Sequence, residues 1–177
     1  MSERRYPFFW GLLGDLREGR PNLGPTTRLE IYRLMQFTLL DVLERHFGAE
    51  AADDLFREAG HLAGGEYYEN VVGRQSDPAV FLRKLQNSLK EMGIALLRME
   101  KTDLDEMKFV LTLSEDLDCS GLPETGHGVC VYDEGFLAGL LEAFAGRKFV
   151  VREIACWCTG DRTCRFSAEA IVSGPAS

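Results

Sequence analysis

The sequence lacks any apolar run long enough to cross a bilayer, since its longest runs, such as Ile94 to Leu97 and Phe149 to Val151, are short. No leader-like apolar stretch follows the first residue. Basic clusters are also missing, and the 20 Lys and Arg against 28 Asp and Glu give a formal net charge of -8. An acidic surface repels phosphate backbones. We therefore expect a soluble, cytoplasmic protein that does not bind nucleic acid by itself.

Cysteine is present in an odd number, five, and four of the five lie after residue 129. A disulfide framework is typical of small exported domains with paired cysteines, and this chain shows no export signal. The cysteines therefore indicate metal binding or redox chemistry rather than structural disulfides.

The length and patterning predict one folded domain. At 177 residues, with 45% hydrophobic and 27% charged residues, the chain can bury one core without splitting it. We predict an N-terminal arm over residues 1–25 and a single ligand-binding domain over residues 26–172, with a metal-binding hairpin at its C-terminal end. The arm is assigned because Gly24 and Pro25 interrupt the chain after an apolar start.

Hydrophobic periodicity predicts helices first and strands later. Apolar residues at three- and four-residue steps indicate helices from Thr26 or Thr27 to Phe47, from about Glu50 to Tyr68, from a cap at Asp77, and from a cap at Asp133 to a stop at Gly146. Alternation indicates strands over Met107–Leu113, Val129–Tyr132, Lys148–Ala155 and Arg165–Ile171, with a long loop from Ser114 to Gly128. This order predicts an α+β fold with helices packed on one side of an antiparallel sheet.

The last predicted hairpin carries a candidate metal site. Cys156 and Cys164 flank the Thr159-Gly160-Asp161 turn, and Glu153 lies just before them. Thiolates with a carboxylate oxygen suit zinc. Because Glu153 and Cys156 are three residues apart, the strand must bulge or end near Ala155 if both are to face one ion.

Several assignments stay open at this point. Glu153 is either a metal ligand or a rim carboxylate paired with an Arg, and Cys130 is either a ligand or a small buried hydrophobe. His127 is an alternative fourth ligand, because His often joins Cys at zinc. Cys119 and Cys158 are interpreted as bystander thiols, with a redox role as the alternative.

A longer motif surrounds this hairpin. The run from Gly128 to Phe166 contains Cys130-Val131-Tyr132-Asp133-Glu134-Gly135, Gly139, Gly146-Arg147, Glu153, Cys156, Gly160 and Cys164-Arg165-Phe166. In order and spacing it resembles the 4-vinyl reductase family of small-molecule, or hydrocarbon, binding domains. With Ala59-Gly60 and Gly64, the likeness extends over most of residues 28–170.

The resemblance implies a fold, a metal and an assembly. The fold would be similar to that of TRAPP vesicle-tethering subunits and of the sensor domain of phenol-responsive activators, a ligand-binding type found in NO-signalling and Golgi-transport proteins that usually dimerises. In the phenol sensors three cysteines and one glutamate hold zinc. Their spacing matches Cys130, Glu153, Cys156 and Cys164, so the resemblance implies a closed, structural zinc site.

An apolar pocket is the second expectation. Phe37, Tyr67, Phe81 and Phe109 are candidates for lining it, since mostly aromatic walls are typical of small-ligand sites, although the same residues would suit an ordinary core. We find no counterpart of the polar His and Trp pair that grips a phenol hydroxyl. The predicted ligand is therefore a small apolar or aromatic molecule rather than phenol.

Three functions follow as hypotheses. In the first, the domain is not an enzyme and senses a small hydrophobic molecule, passing the signal through a homodimer to a downstream signalling protein. In the second, it is a reductase or accessory protein in tetrapyrrole vinyl-group metabolism, although no dinucleotide-binding motif is present. In the third, Cys156, Cys158 and Cys164 form a redox sensor.

Overall fold

The computed structural model describes residues 4–171, so the first three residues of the predicted arm, the predicted domain end at residue 172 and the tail after Ser173 lie outside it. Five α-helices, α1 to α5, span Leu16–Gly19, Leu29–Phe47, Ala49–Tyr67, Pro78–Glu91 and Val131–Ala145. Four strands, β1 to β4, span Leu96–Asp103, Lys108–Ser114, Phe149–Ala155 and Cys164–Ala170. None of the helices within residues 4–171 has the length and hydropathy that a membrane crossing requires.

The strands form one antiparallel sheet in the order β1-β2-β4-β3. Burial alternates along β3 and β4, because one face of these strands meets the helices and the other is open. The predicted α+β class is confirmed. Strand β1 was missing from the sequence prediction because it is an edge strand whose only fully buried residue is Leu97, which leaves little alternation to detect.

Helix ends test the capping predictions. Asp77 caps α4 as predicted, accepting hydrogen bonds from the N–H groups of Ala79 (2.7 Å) and Val80 (3.3 Å). The predicted Thr cap of α2 is wrong, since that helix begins at Leu29 after Arg28 and has no side-chain cap.

The start of α5 also differs from the prediction. The stretch predicted as a strand over Val129–Tyr132 instead leads into the helix, which begins at Val131 with Cys130 at its N-cap. Asp133 is therefore a buried residue of the first turn rather than the cap. The helix ends at Gly146, as predicted, where a left-handed φ of 66° favours glycine.

Helices α3 and α5 cross at a contact made by glycine. A Cβ at Gly60 would overlap the Tyr132 carbonyl oxygen, and a Cβ at Gly64 would overlap that of Phe136. Gly135 and Gly139, on α5, meet the backbone of α3 in the same way. The two backbones are thus in direct contact. This contact fixes the position of α5, whose N-cap is Cys130.

Candidate functional site

Four cysteine sulfurs from separate parts of the chain meet at one end of the sheet. Cys119, Cys130, Cys156 and Cys164 are buried, and their Sγ atoms all lie within 4.8 Å of one another. The recorded Sγ–Sγ distances are 3.9 Å for Cys130–Cys156, 3.7 Å for Cys130–Cys164 and 3.0 Å for Cys119–Cys164. The structure therefore brings together three of the residues predicted as metal ligands and adds a fourth thiol.

Each cysteine is placed by a different local structure. Cys130 is the N-cap of α5, Cys164 is the first residue of β4, and Cys119 lies in the loop after β2. Cys156 follows the end of β3, where its N–H donates to Thr159 Oγ1 (3.2 Å) and its carbonyl accepts from the N–H of Thr159 (3.1 Å). A tight turn between β3 and β4 therefore holds Cys156 and Cys164 side by side.

Glu153 lies at the border of this cluster. The register of β3 against β4 shifts between Glu153 and Ala155, which confirms the predicted bulge. The side chain points toward the loop before α5, because a Cβ on Gly128 would overlap Glu153 Oε2. Its Oε1 is buried without a hydrogen-bond partner, and burial raises the pKa of Glu153 to about 8. A buried carboxylate in this position calls for a cation or a proton.

Glu134 holds the backbone of this bulge. Its Oε1 accepts from the Glu153 N–H (2.8 Å), and its Oε2 accepts from Arg57 Nε (2.9 Å) and Arg152 (3.3 Å). The carboxylate is 8% exposed and sits in the first turn of α5. It therefore ties α3, α5 and β3 together beside the cluster.

The buried ionisable residues around the thiols are mostly acidic. Asp116, Asp118 and Asp133 are all buried next to the cluster, and burial raises the pKa of each, in the case of Asp116 to about 7. Hydrogen bonds from the thiols of Cys119, Cys130 and Cys164 lower the pKa of Cys156. A divalent cation would favour the thiolate forms in such surroundings, so the donor set fits a thiophilic metal.

The remaining cysteine and histidine candidates lie outside the cluster. Cys158 is buried, and burial raises its pKa to about 11, but it does not belong to the set of sulfurs within 4.8 Å. His127 is exposed, with its Nδ1 3.3 Å from the Thr125 carbonyl. The structure thus does not bring His127 to the thiols.

Cys119 is the member that sequence reasoning missed. It lies in the long loop after β2, where no periodicity indicates the direction of a side chain. The one available signal was the odd number of cysteines, which left a thiol to be placed.

A separate apolar cavity lies between α4, α5 and the sheet. It has a volume of about 630 Å³. Its walls are mostly apolar, formed by residues such as Phe81, Leu85, Phe109, Leu111, Leu140 and Phe144. Of its polar lining residues, Ser76, Thr102, Asp105 and Arg147 are exposed and Gln75 is half-buried. The cavity is therefore apolar inside and polar at its opening.

Two of the four predicted pocket residues line this cavity and two do not. Phe81, stacked on Phe144 with ring centroids 4.2 Å apart, and Phe109 both line it. Tyr67 instead packs edge-on against Phe136, at 5.3 Å between centroids, and belongs to the core. Phe37 lies on α2, which packs against α3, and it is not among the residues that line the cavity.

Comparison with known proteins identifies the fold. A crystal structure of a vinyl-4-reductase family protein from Methanocaldococcus jannaschii matches with a TM-score of 0.60 at 17% identity, over 97% of this chain and 98% of that one. The phenol-responsive sensory domain of the transcription activator PoxR, solved with phenol, matches with a TM-score of 0.61 at 16% identity, over 81% and 75%.

A trafficking protein particle complex subunit 3 from Naegleria fowleri, covalently bound to palmitic acid, has a similar fold. It matches with a TM-score of 0.64 at 12% identity, over 81% of this chain and 95% of that one. The family model described as the V4R domain matches residues 109–170, which include β2 from its second residue, α5, the hairpin and all five cysteines. The resemblance read from the sequence is confirmed by this match over residues 109–170 and by the similar solved structures.

Proposed function

We propose that this chain is a sensing domain that binds a small hydrophobic molecule in the cavity between α4, α5 and the sheet. The observation that carries the proposal is the cavity itself, because about 630 Å³ with apolar walls and a polar opening is typical of a ligand site. The similarity to a domain that binds phenol and to a subunit bound to palmitic acid supports the assignment.

The lining indicates the class of ligand. Phe81, Phe109 and Phe144 offer no hydrogen bonds to the interior, whereas Thr102 and Arg147 lie at the opening. A molecule with an apolar body and at most one polar end would satisfy both regions, since a polar group placed deep in the cavity would lose its hydrogen bonds. Phenol is smaller than the cavity and places its hydroxyl close to its ring, so we propose a longer apolar ligand.

Binding of an apolar fluorophore, N-phenyl-1-naphthylamine, tests the cavity. We expect saturable fluorescence enhancement with the wild-type chain, and its loss in Leu141→Trp, which places an indole within the lining. Leu62→Trp is the matched control, because Leu62 is exposed on α3 and does not line the cavity. Equal enhancement in all three proteins would refute the cavity as the binding site.

We further propose that the cysteine cluster holds a structural zinc ion. Cys130, Cys156 and Cys164 supply three thiolates from three elements, and a fourth protein ligand closes the site. The ion would neutralise charge in a region where buried carboxylates already accumulate. Its role would be to join the start of α5 to the β3–β4 hairpin, because a site closed by protein has no position for substrate. A metal content well below one ion per chain in protein purified without added metal would refute it.

We propose a binding role rather than catalysis. The thiols and buried carboxylates lie at the cluster, and none of them lines the cavity, so a bound apolar molecule would not meet an acid, a base or a nucleophile from this group. Incubation with a vinyl tetrapyrrole and a reduced nicotinamide cofactor tests this. Reduction of the vinyl group by the purified chain would overturn the assignment in favour of a reductase.

A homodimer is proposed from the outer face of α2. Leu34, Met35 and Leu39 are 61%, 63% and 49% exposed, and Gln36 is the helix's one fully buried residue. Contiguous apolar exposure of this kind marks an interaction surface. Light scattering on a sizing column should give about twice 19.8 kDa for the wild type. Met35→Glu should then give the single-chain mass, and a wild type that is monomeric at all concentrations would exclude this interface.

A further inference from the structure

We infer that Cys119 is the fourth ligand of the metal site, so that the ion is held by four thiolates and Glu153 stands outside the first coordination shell. The inference rests on the proposed zinc site and departs from the three-cysteine, one-glutamate set that the family resemblance implies. It assigns a metal-binding role to a residue that lies in the loop before the Gly128–Phe166 motif.

The distances between the four sulfur atoms support a site with four thiolates. A tetrahedral zinc site with Zn–S bonds of about 2.3 Å has S···S edges of about 3.8 Å. The Cys130–Cys156 and Cys130–Cys164 distances, 3.9 and 3.7 Å, already have this length. Cys119 Sγ lies 3.0 Å from Cys164 Sγ and within 4.8 Å of the other two sulfurs. All four sulfurs therefore fit around one ion after shifts of less than about 1 Å.

The loop around Cys119 is built to hold that side chain inward. Arg33, on α2, donates to the carbonyl oxygens of Leu117 (2.8 Å) and Ser120 (2.9 Å), which bracket Cys119. Asp116 Oδ1 accepts from the N–H groups of Asp118 (2.6 Å) and Cys119 (3.3 Å). A cysteine in a loop, completely buried and clamped from both sides, is positioned with the precision that a ligand needs.

Glu153 is placed differently. No carboxylate oxygen of Glu153 joins the set of ligand atoms that lie within 4.8 Å of one another, although the carboxylate is close enough to interact with the thiols of Cys130, Cys156 and Cys164. Four sulfurs complete a tetrahedral site, so the carboxylate is left as a neighbour of the thiolates. Whether Cys119 or Glu153 is the fourth ligand can therefore be tested by substituting each of them singly.

Cobalt(II) replaces zinc in such sites and reports each thiolate through sulfur-to-cobalt charge-transfer absorbance. We expect Cys119→Ser to lose about one quarter of this absorbance per bound cobalt, because one of four thiolates is removed. Glu153→Gln should keep the full absorbance and the visible band positions. Cys158→Ser is the matched control, since Cys158 is a buried thiol outside the cluster, and it should also be unchanged.

The outcomes separate this inference from the zinc proposal. Full absorbance in Cys119→Ser together with altered bands in Glu153→Gln would overturn the four-thiolate site and leave the zinc proposal standing. Failure of the wild type to bind cobalt or zinc would remove both.

X-ray absorption of the wild-type zinc protein needs no variant, so it decides the question even if Cys119→Ser fails to fold. Four sulfurs at about 2.3 Å would support the inference, and three sulfurs with one oxygen at about 2.0–2.2 Å would refute it.

Discussion

The glycine contact between α3 and α5 gives the sharpest test of the fold. A Cβ at Gly64 would overlap the Phe136 carbonyl and lie 3.0 Å from Leu140 N, and both neighbours are backbone atoms that cannot rotate away. A Cβ at Gly65, the next residue on the same helix, would meet nothing within 4 Å. The two positions therefore form a matched pair for substitution by alanine.

The two substitutions should change the free energy of unfolding in opposite directions. Replacing glycine by alanine within a helix gains about 1 kcal/mol of stability, which is the whole effect expected for Gly65→Ala. In Gly64→Ala the helices must separate, and overpacking of this kind costs about 3 kcal/mol, so the net loss is about 2 kcal/mol. For a domain of this size the loss corresponds to a Tm lower by about 4–8 °C.

Urea denaturation followed by circular dichroism measures both changes. The slope of the transition should stay constant across the series, so that midpoints report stability directly. A Gly64→Ala protein as stable as Gly65→Ala would contradict the direct backbone contact. Because α5 also carries Cys130 and part of the cavity wall, Gly64→Ala should weaken cobalt and fluorophore binding as well.

Three further predictions concern the surroundings of the cluster. Burial raises the pKa of Asp116 in the folded protein to about 7, so its contribution to the stability of the metal-free protein is present below pH about 4 and is lost as pH rises through about 7. This pH dependence amounts to at most on the order of 4 kcal/mol in the free energy of unfolding. Asp116→Asn should flatten it in urea midpoints measured from pH 4 to 8. Glu134→Ala should lower the free energy of unfolding by about 2–3 kcal/mol, because it leaves the Glu153 N–H and Arg57 without this carboxylate partner beside a buried site. Asp54→Ala removes the exposed partner of the same Arg57 and should change stability by less than about 1 kcal/mol. Removal of the metal by a chelator should lower the Tm and be reversed by added zinc, and an unchanged Tm would show that the cluster folds without an ion.

The site could be predicted from the sequence wherever regular structure relates residues to one another. The three-residue spacing of Glu153 and Cys156 required an irregular strand, and the register shift between Glu153 and Ala155 confirms it. Cys119 could not be placed in the same way, because its position depends on hydrogen bonds from Arg33, 86 residues earlier in the chain, and no local pattern encodes such a contact.

The residues that line the cavity show the same limit of prediction from sequence. Phe81 and Phe109 were found because inward positions of α4 and β2 follow from periodicity. Periodicity does not say which of two neighbouring layers an inward face meets, so it could not show that Phe37, on a helix packed against α3, lies outside the lining of the cavity. The edge strand β1 was missed because four of its eight residues are charged and one of its edges has no partner.

The four sulfurs of the cluster are completely shielded from solvent or nearly so, with exposures of 0–1%. An ion held there can be captured by a chelator only while the chain around it is open. Its escape rate should therefore reach a plateau as chelator concentration increases, and the plateau equals the frequency of that opening. Metal exchange would then report the rate at which the chain around the cluster opens locally.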